Sequence, residues 1–246
     1  MRLVMLLLFI VAACVQLSEE STLLEEDDGW DVLAIGLEQA TIREGAVIFQ
    51  AMRIDPQYYD FRAHYRPGEA LTIEEWSGEL PDAEVIINAS FFTPEHTILG
   101  LLISDFATYG VPYTDRGGTF YVAGDAVGIR SNITDPYRGE NFSQAIQAFP
   151  MLVVNGQPAY NNSQDTAISR RTIIAQDTDG HILLMVTSGF GMSLYQLSQY
   201  LAESDLNIVN ALNLDGGGST MMSIASSDTT IVSLDPVPAV LAVYGR

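Results

Sequence analysis

Residues 210–222, NALNLDGGGSTMM, place one carboxylate, Asp215, before three consecutive glycines and two hydroxyls, Ser219 and Thr220. A turn seldom needs three glycines. A backbone that must come close to a ligand does, because no Cβ stands in the way. Gly216, Gly217 and Gly218 can aim N–H groups at an anion, as in phosphate-binding nests. Two further stretches put polar residues at strand ends: Asn88-Ala89-Ser90 follows the apolar AEVII, and Arg170-Arg171-Thr172 opens the apolar TIIA. Arginine offers a planar fork that fits phosphate oxygens. An Asp beside such a loop can act on the carbon or phosphorus next to a bound phosphate. Each stretch alone has a plainer use: Asn88 can shape a turn, an Arg before a strand can be solvated, and Asp215 can cap the glycines. Taken together they suggest an anion site.

Composition narrows the chemistry. The chain has 246 residues and a formal charge of −20, and all eleven of its basic residues are Arg. Without Lys there is no Schiff base and no phosphate-loop lysine. His64, His96 and His181 are far apart and show no metal-ligand spacing. The single Cys excludes an internal disulfide. So acidic a chain repels nucleic acid and anionic membrane surfaces, and no nucleic-acid partner is expected. No G-x-S-x-G nucleophile elbow is present. His96, near the first stretch, is a candidate acid–base group. His181 follows Asp179-Gly180 at a hairpin tip and is expected to be exposed and without a role.

The first fourteen residues, MRLVMLLLFIVAAC, read as a secretory signal: one Arg, a short apolar run, then small residues. The run falls short of the ~20 apolar residues of a membrane span. Val11-Ala12-Ala13-Cys14 resembles a bacterial lipobox, which makes Cys14 the expected site of lipidation. Residues 15–29 carry six acids and no base and read as a solvated tether. The expectation is an extracytoplasmic lipoprotein, held to the membrane through its N-terminal lipid only, with one domain over 30–246.

The elements that must position the site follow from periodicity and turn residues. Strands are expected at Trp30–Leu37, Gly45–Ile54, Tyr58–Tyr65, Ala83–Ile87, Ile98–Ser104 and Val237–Tyr244. Hairpins are expected at Gly118–Ile129, at Met151–Tyr160 around Asn155-Gly156, and at Thr172–Thr187 around Asp179-Gly180. Leu71–Leu80 reads as a short helix and Phe142–Phe149 as a weak one. Met192–Glu203 is the clearest helix, with Ser193 as N-cap. Many strands and few helices without strict alternation argue for an α+β fold around a mixed, largely antiparallel twisted sheet.

From roughly Ala83 to Tyr244 the sequence resembles the phosphodiester glycosidase family. The resemblance rests on INASFF, LGLLISD, the Asn155-Gly156 hairpin, RRTIIA, GMSLYQLSQYL, LNLDGGGSTMM and VPAVLAVY, in that order. Ala89, Ser90, Ala175 and Phe106 stand where the family commonly has glycine. The resemblance implies hydrolysis of a sugar–O–phosphate bond in a glycosyl phosphodiester, with an envelope glycan or polymer as the expected substrate. Phosphate is a good leaving group, so the site must chiefly hold its charge and stabilise an oxocarbenium-like centre. On that reading Arg171, with Arg170, holds the phosphate together with the N–H groups of Gly216–Ser219. Asp215 stabilises the anomeric cation or activates water. Asn88 and Ser219 orient the substrate, with Ser90, Thr172 and Thr220 lining it, and Asp105 and Glu95 stand as reserve carboxylates. No cofactor is required; a divalent cation on Asp215 and Asp105 is an open possibility. A glycan-binding lipoprotein without turnover, and P–O rather than C–O cleavage or transfer, are the competing readings.

Overall fold

The computed structural model describes residues 29–246. The signal segment, Cys14 and residues 15–28 of the tether lie outside the described residues. In chain order the elements begin with β1 (Asp31–Ala34), β2 (Leu37–Glu44), β3 (Val47–Ile54), β4 (Tyr59–Tyr65), α1 (Ile73–Glu79) and β5 (Val85–Asn88). There follow β6 (Leu101–Ser104), β7 (Ala107–Gly110), β8 (Gly118–Ala123), β9 (Ala126–Ser131) and β10 (Gln144–Ala148). Then come β11 (Met151–Val154), β12 (Gln157–Pro158), β13 (Thr172–Asp177), β14 (Ile182–Thr187) and α2 (Leu194–Glu203). The set is completed by β15 (Ile208–Asn213), β16 (Met222–Ile224), β17 (Thr229–Ile231) and β18 (Ala239–Gly245).

The strands form three sheets, ordered β1-β2-β3-β14-β13-β15-β11-β12, β7-β6-β10-β8-β9 and β17-β16-β5-β18-β4. Every ladder among the described residues is antiparallel. Period-two alternation explains how they stack. Ile182, Leu184 and Val186 of β14 face a core shared by all three sheets, with Phe120 and Ile146 from the second and Phe61, Ile87 and Leu241 from the third. Leu183 and Met185 face the other way, onto Leu197 and Leu201 of α2. Both faces of the large sheet are therefore buried, which is why β14 reads as a continuous apolar run.

The helices are fixed by their ends. Ser193 and Gln196 form a capping box on α2, as Thr72 and Glu75 do on α1. Trp76 of α1 is fully buried on the outer face of the third sheet and donates its indole N–H to the carbonyl of Val237. No helix among the described residues is long and apolar enough to cross a membrane. The expected helix at Phe142–Phe149 is instead strand β10. It is the central strand of its sheet, pairing with β6 and β8, and all five residues are buried. Two-sided burial erased the alternation that would have marked it as a strand. The departure at Phe106 also has a backbone meaning. Asp105 and Phe106 form the two-residue turn between β6 and β7 with φ of 46° and 67°. Such a turn favours glycine, and here Phe106 takes the left-handed conformation with a side chain.

Candidate active site

Three chain segments meet where β5 and β15 end and β13 begins. After β15 the backbone changes partner at each step: Leu214 N–H donates to Thr172, Asp215 N–H to Ala89, and Gly217 N–H to Arg170. The loop that follows β15 is thus stitched alternately to the other two predicted stretches. Asn88 is fully buried and locks this arrangement. Its Oδ1 accepts from the Thr172 hydroxyl at 2.8 Å and from the Met221 N–H at 3.1 Å, and its Nδ2 donates to the Asp215 carbonyl at 2.6 Å. The Asn88 side chain therefore acts on the loop. Asn213 does similar work, donating to the carbonyls of Phe149 and Leu214.

Each glycine of the loop meets a different constraint. A Cβ on Gly216 would lie 2.8 Å from the Arg170 carbonyl oxygen. Gly217 has φ +63°, in the left-handed region. A Cβ on Gly218 would lie 1.9 Å from Oδ2 of Asp235. Asp235 is a residue that the sequence reading passed over; it sits in SLDPVP, which carries no glycine or motif signal. It is held against the loop by Leu234 and Asp235 N–H groups, which donate to the Gly218 carbonyl at 2.7 and 3.1 Å.

Asp215 is half-buried, and its Oδ1 accepts the Gly216 N–H at 2.9 Å. Burial pushes its carboxyl above the usual range. The Ser219 hydroxyl and the Gly216 N–H pull it back in part, and the charge of Asp235 adds to the rise. It does cap the glycine turn, but it also stays in a poorly solvated position beside a second carboxylate.

The two arginines diverge. Arg170 sends Nη1 to the Val232 carbonyl at 3.1 Å, toward the Asp235 segment. Arg171 is 9% exposed and turns toward α2, donating Nε to Met192 O at 2.9 Å and Nη2 to Ala167 O at 3.0 Å. Burial lowers the pKa of both, opposed at Arg171 by Asp165 and Tyr160; a guanidinium so shifted stays charged. In a chain with 31 acidic residues, neither makes an ion pair among the described residues. Seven other arginines do. Met192, whose carbonyl Arg171 binds, lines a cleft of about 810 Å³ along α2 together with Ile168, Tyr195 and Gln199. None of the DGGGST residues lines that cleft.

Six buried side-chain polar atoms lack a hydrogen-bond partner among the described residues, and four belong to these stretches: Ser90 Oγ, Arg170 Nε, Asn213 Oδ1 and Thr220 Oγ1. Such atoms are rare in folded proteins and cost roughly 1–3 kcal/mol each. Their concentration beside two arginines without an ion-pair partner and a glycine loop sets this region apart from the rest of the described residues. Ser90 is the departure that adds one of these atoms. Ala89 and Ala175 are buried without strain and use their backbone as glycine would.

Other predicted residues lie elsewhere. The Asp105 carboxylate accepts from Gln144 Nε2 at 2.8 Å and acts on His64 and Tyr244. Glu95 is exposed in the Thr93–Thr97 turn. His96 has Nδ1 at 3.4 Å from the Gly68 carbonyl and its ring beside Phe92. None of the three is hydrogen-bonded to the glycine loop. His181 is not exposed and idle: it is half-buried and its Nδ1 lies 2.9 Å from Asp177 Oδ2. Asp177, Asp179 and His181 have potential metal-ligating atoms within 4.8 Å of one another, but Asp177 Oδ1 also accepts the N–H groups of Asp179 and His181 and so closes the hairpin. Asp215 and Asp105 form no such group.

A sequence profile described as phosphodiester glycosidase matches residues 81–244. The human N-acetylglucosamine-1-phosphodiester alpha-N-acetylglucosaminidase is 28% identical over 172 residues, which is 60% of this chain and 33% of the human protein. The chain thus spans about a third of the length of that relative. Among solved structures, the catalytic domain of the zebrafish enzyme of the same name, auto-inhibited by its pro-peptide, superposes with a TM-score of 0.63 at 20% identity. That match covers 85% of this chain and 82% of the other. A hypothetical protein from Synechocystis matches with a TM-score of 0.64 at 18% identity, over 85% of this chain and 62% of its own. At those identities the structures speak for the fold. The profile match covers most of the chain and contains all three site stretches, so this chain belongs to the phosphodiester glycosidase family.

Proposed function

We propose that the chain hydrolyses the sugar–O–phosphate bond of a glycosyl phosphodiester outside the cytoplasm, tied to the membrane by a lipid on Cys14. The observation that carries the reading is the coincidence, among the described residues, of four unpartnered buried polar atoms with two arginines that have no carboxylate partner, all on segments stitched to DGGGST. The family supports the reaction class, and the names of the human and zebrafish relatives make N-acetylglucosamine-1-phosphodiesters the first substrates to try. In this reading Arg170 and the loop N–H groups receive the phosphate. Asp215 sits at the reacting carbon, and Ser90 and Thr220, both buried, form the polar floor beneath the sugar. Burial strengthens each of these contacts because little water competes. An envelope glycan or polymer as the natural aglycone, and the extracytoplasmic location, rest on the N-terminal sequence alone.

The test is incubation with UDP-N-acetylglucosamine and a panel of sugar-1-phosphodiesters, with and without EDTA, in oxygen-18 water. Free sugar carrying the label supports C–O hydrolysis, and label in the phosphate would move the cut to the P–O bond. Saturable binding without release of sugar would replace the enzyme by a binding lipoprotein. Metabolic labelling with a fatty acid, lost in Cys14→Ser, tests the anchor.

A further inference from the structure

We propose that Asp235, on the segment between β17 and β18, is the second catalytic carboxylate, taking the proton of the attacking water while Asp215 serves the leaving group. This assignment rests on the glycosyl phosphodiester reading above. Four observations place Asp235 there. Its segment is clamped to the loop by the two N–H groups that share the Gly218 carbonyl. Its carboxylate lies over Gly218, with Oδ2 1.9 Å from where a Cβ on that residue would stand. The carboxylate is exposed and accepts no hydrogen bond, nor does it enter an ion pair, among the described residues. Arg170, anchored on Val232 three residues earlier, is likewise without an ion-pair partner. Two opposite charges held on one short segment and kept apart are available to a third group that carries both a phosphate and a reacting centre.

The environments of the two carboxylates differ in the way that divides acid from base. Asp215 is half-buried, and burial makes it hold a proton more firmly. Asp235 is at the solvent edge, where water enters. In the step, the water oxygen bonds to the anomeric carbon as the bond from that carbon to the phosphate oxygen breaks. The bonding pair leaves with the phosphate. The water proton passes to Asp235, and Asp215 donates its proton to the departing phosphomonoester. Asp235 then releases its proton to solvent and Asp215 takes one up. Free sugar and phosphomonoester are the products, and the enzyme is restored.

The test uses the full chain in detergent, as wild type, Asp235→Asn and Asp235→Ala, on the diester that wild type turns over best. The expected result is a fall in kcat of about 100-fold or more in both variants, the range for loss of a general base. KM and the thermal midpoint stay near wild type. Sodium azide restores turnover to Asp235→Ala and gives a glycosyl azide, which a merely structural residue would not do. An Asp235→Asn variant with kcat near wild type overturns the assignment alone. So does a loss that tracks a lowered thermal midpoint and does not respond to azide. Wild-type chain inactive on every diester overturns the underlying reading, and this assignment with it.

Discussion

Asn88 donates its side-chain amide to the main-chain carbonyl of Asp215 at 2.6 Å, across 127 residues of sequence. The same amide group accepts from Thr172 and Met221, so one buried residue closes the triangle between β5, β13 and the glycine loop. An Asp here cannot donate to a carbonyl, and Ala leaves three polar groups without their partner. Asn88→Ala should cost roughly 3 kcal/mol, about one for each hydrogen bond lost. Asn88→Asp should be as damaging. Urea unfolding with the slope held constant measures this, and a midpoint equal to wild type in either variant would contradict it.

The two adjacent arginines should give different signatures. Arg170→Ala removes an exposed contact to the Val232 carbonyl and a cation beside the loop, so KM should rise about 10-fold or more, as for a lost charged contact, with little change in thermal midpoint. Arg171→Ala strips partners from the Met192 and Ala167 carbonyls, which join α2 to the site, and should destabilise by roughly 2 kcal/mol in addition to any kinetic effect. Steady-state kinetics and thermal melts on the same preparations separate the two. Equal melting losses would refute the division.

The three glycines should fail in three ways when each is changed to Ala. Gly217→Ala places a side chain at φ +63° and should cost roughly 1–2 kcal/mol. Gly216→Ala should push the loop from Arg170, since the new Cβ would sit 2.8 Å from a backbone oxygen. Gly218→Ala meets only the end of the Asp235 side chain, which can swing away. It should therefore keep its stability and lose turnover. Retained turnover in Gly218→Ala would mean that the placement of Asp235 over the loop has no bearing on catalysis.

Asp215 should make stability depend on pH in a defined sense. Burial raises its pKa in the folded chain. The folded state therefore holds the proton more tightly than the unfolded state, whose Asp titrates near ~3.9. That contribution is fully present below the unfolded value and is lost as pH rises through the folded one. At neutral pH the freely ionised Asp215 of the unfolded chain is favoured over the half-buried one, and wild type carries that penalty. Asp215→Asn keeps an acceptor for the Gly216 N–H and escapes that cost. The variant should melt higher than wild type at pH 7, and the gap should close as pH falls toward about 4. A variant that melts lower at pH 7 would show that the carboxylate is held favourably after all.

Local chemistry was legible wherever neighbours in sequence decide it. Asn155-Gly156 and Asp179-Gly180 turn their hairpins, and Ser193 caps α2, because turn geometry and capping are set within a few residues. DGGGST stands out in the chain because a backbone stripped of side chains needs an explanation on its face. Strand β10 was hidden because burial on both faces removes period-two alternation, and that burial is supplied by sheets formed from distant residues. Asp235 was hidden for the same reason. Nothing near it in sequence marks it, and it gains meaning only when the turn before β18 folds across Gly218. The sequence by itself determined which groups were available: guanidinium, carboxylate, amide and hydroxyl, with no Lys. Only the tertiary structure decided that Asn88 spends its amide on the Asp215 backbone, that Arg170 and Arg171 point apart, and that Asp105 belongs with Gln144. Contacts across 21 to 127 residues depend on how the sheets stack, and no local pattern encodes that stacking.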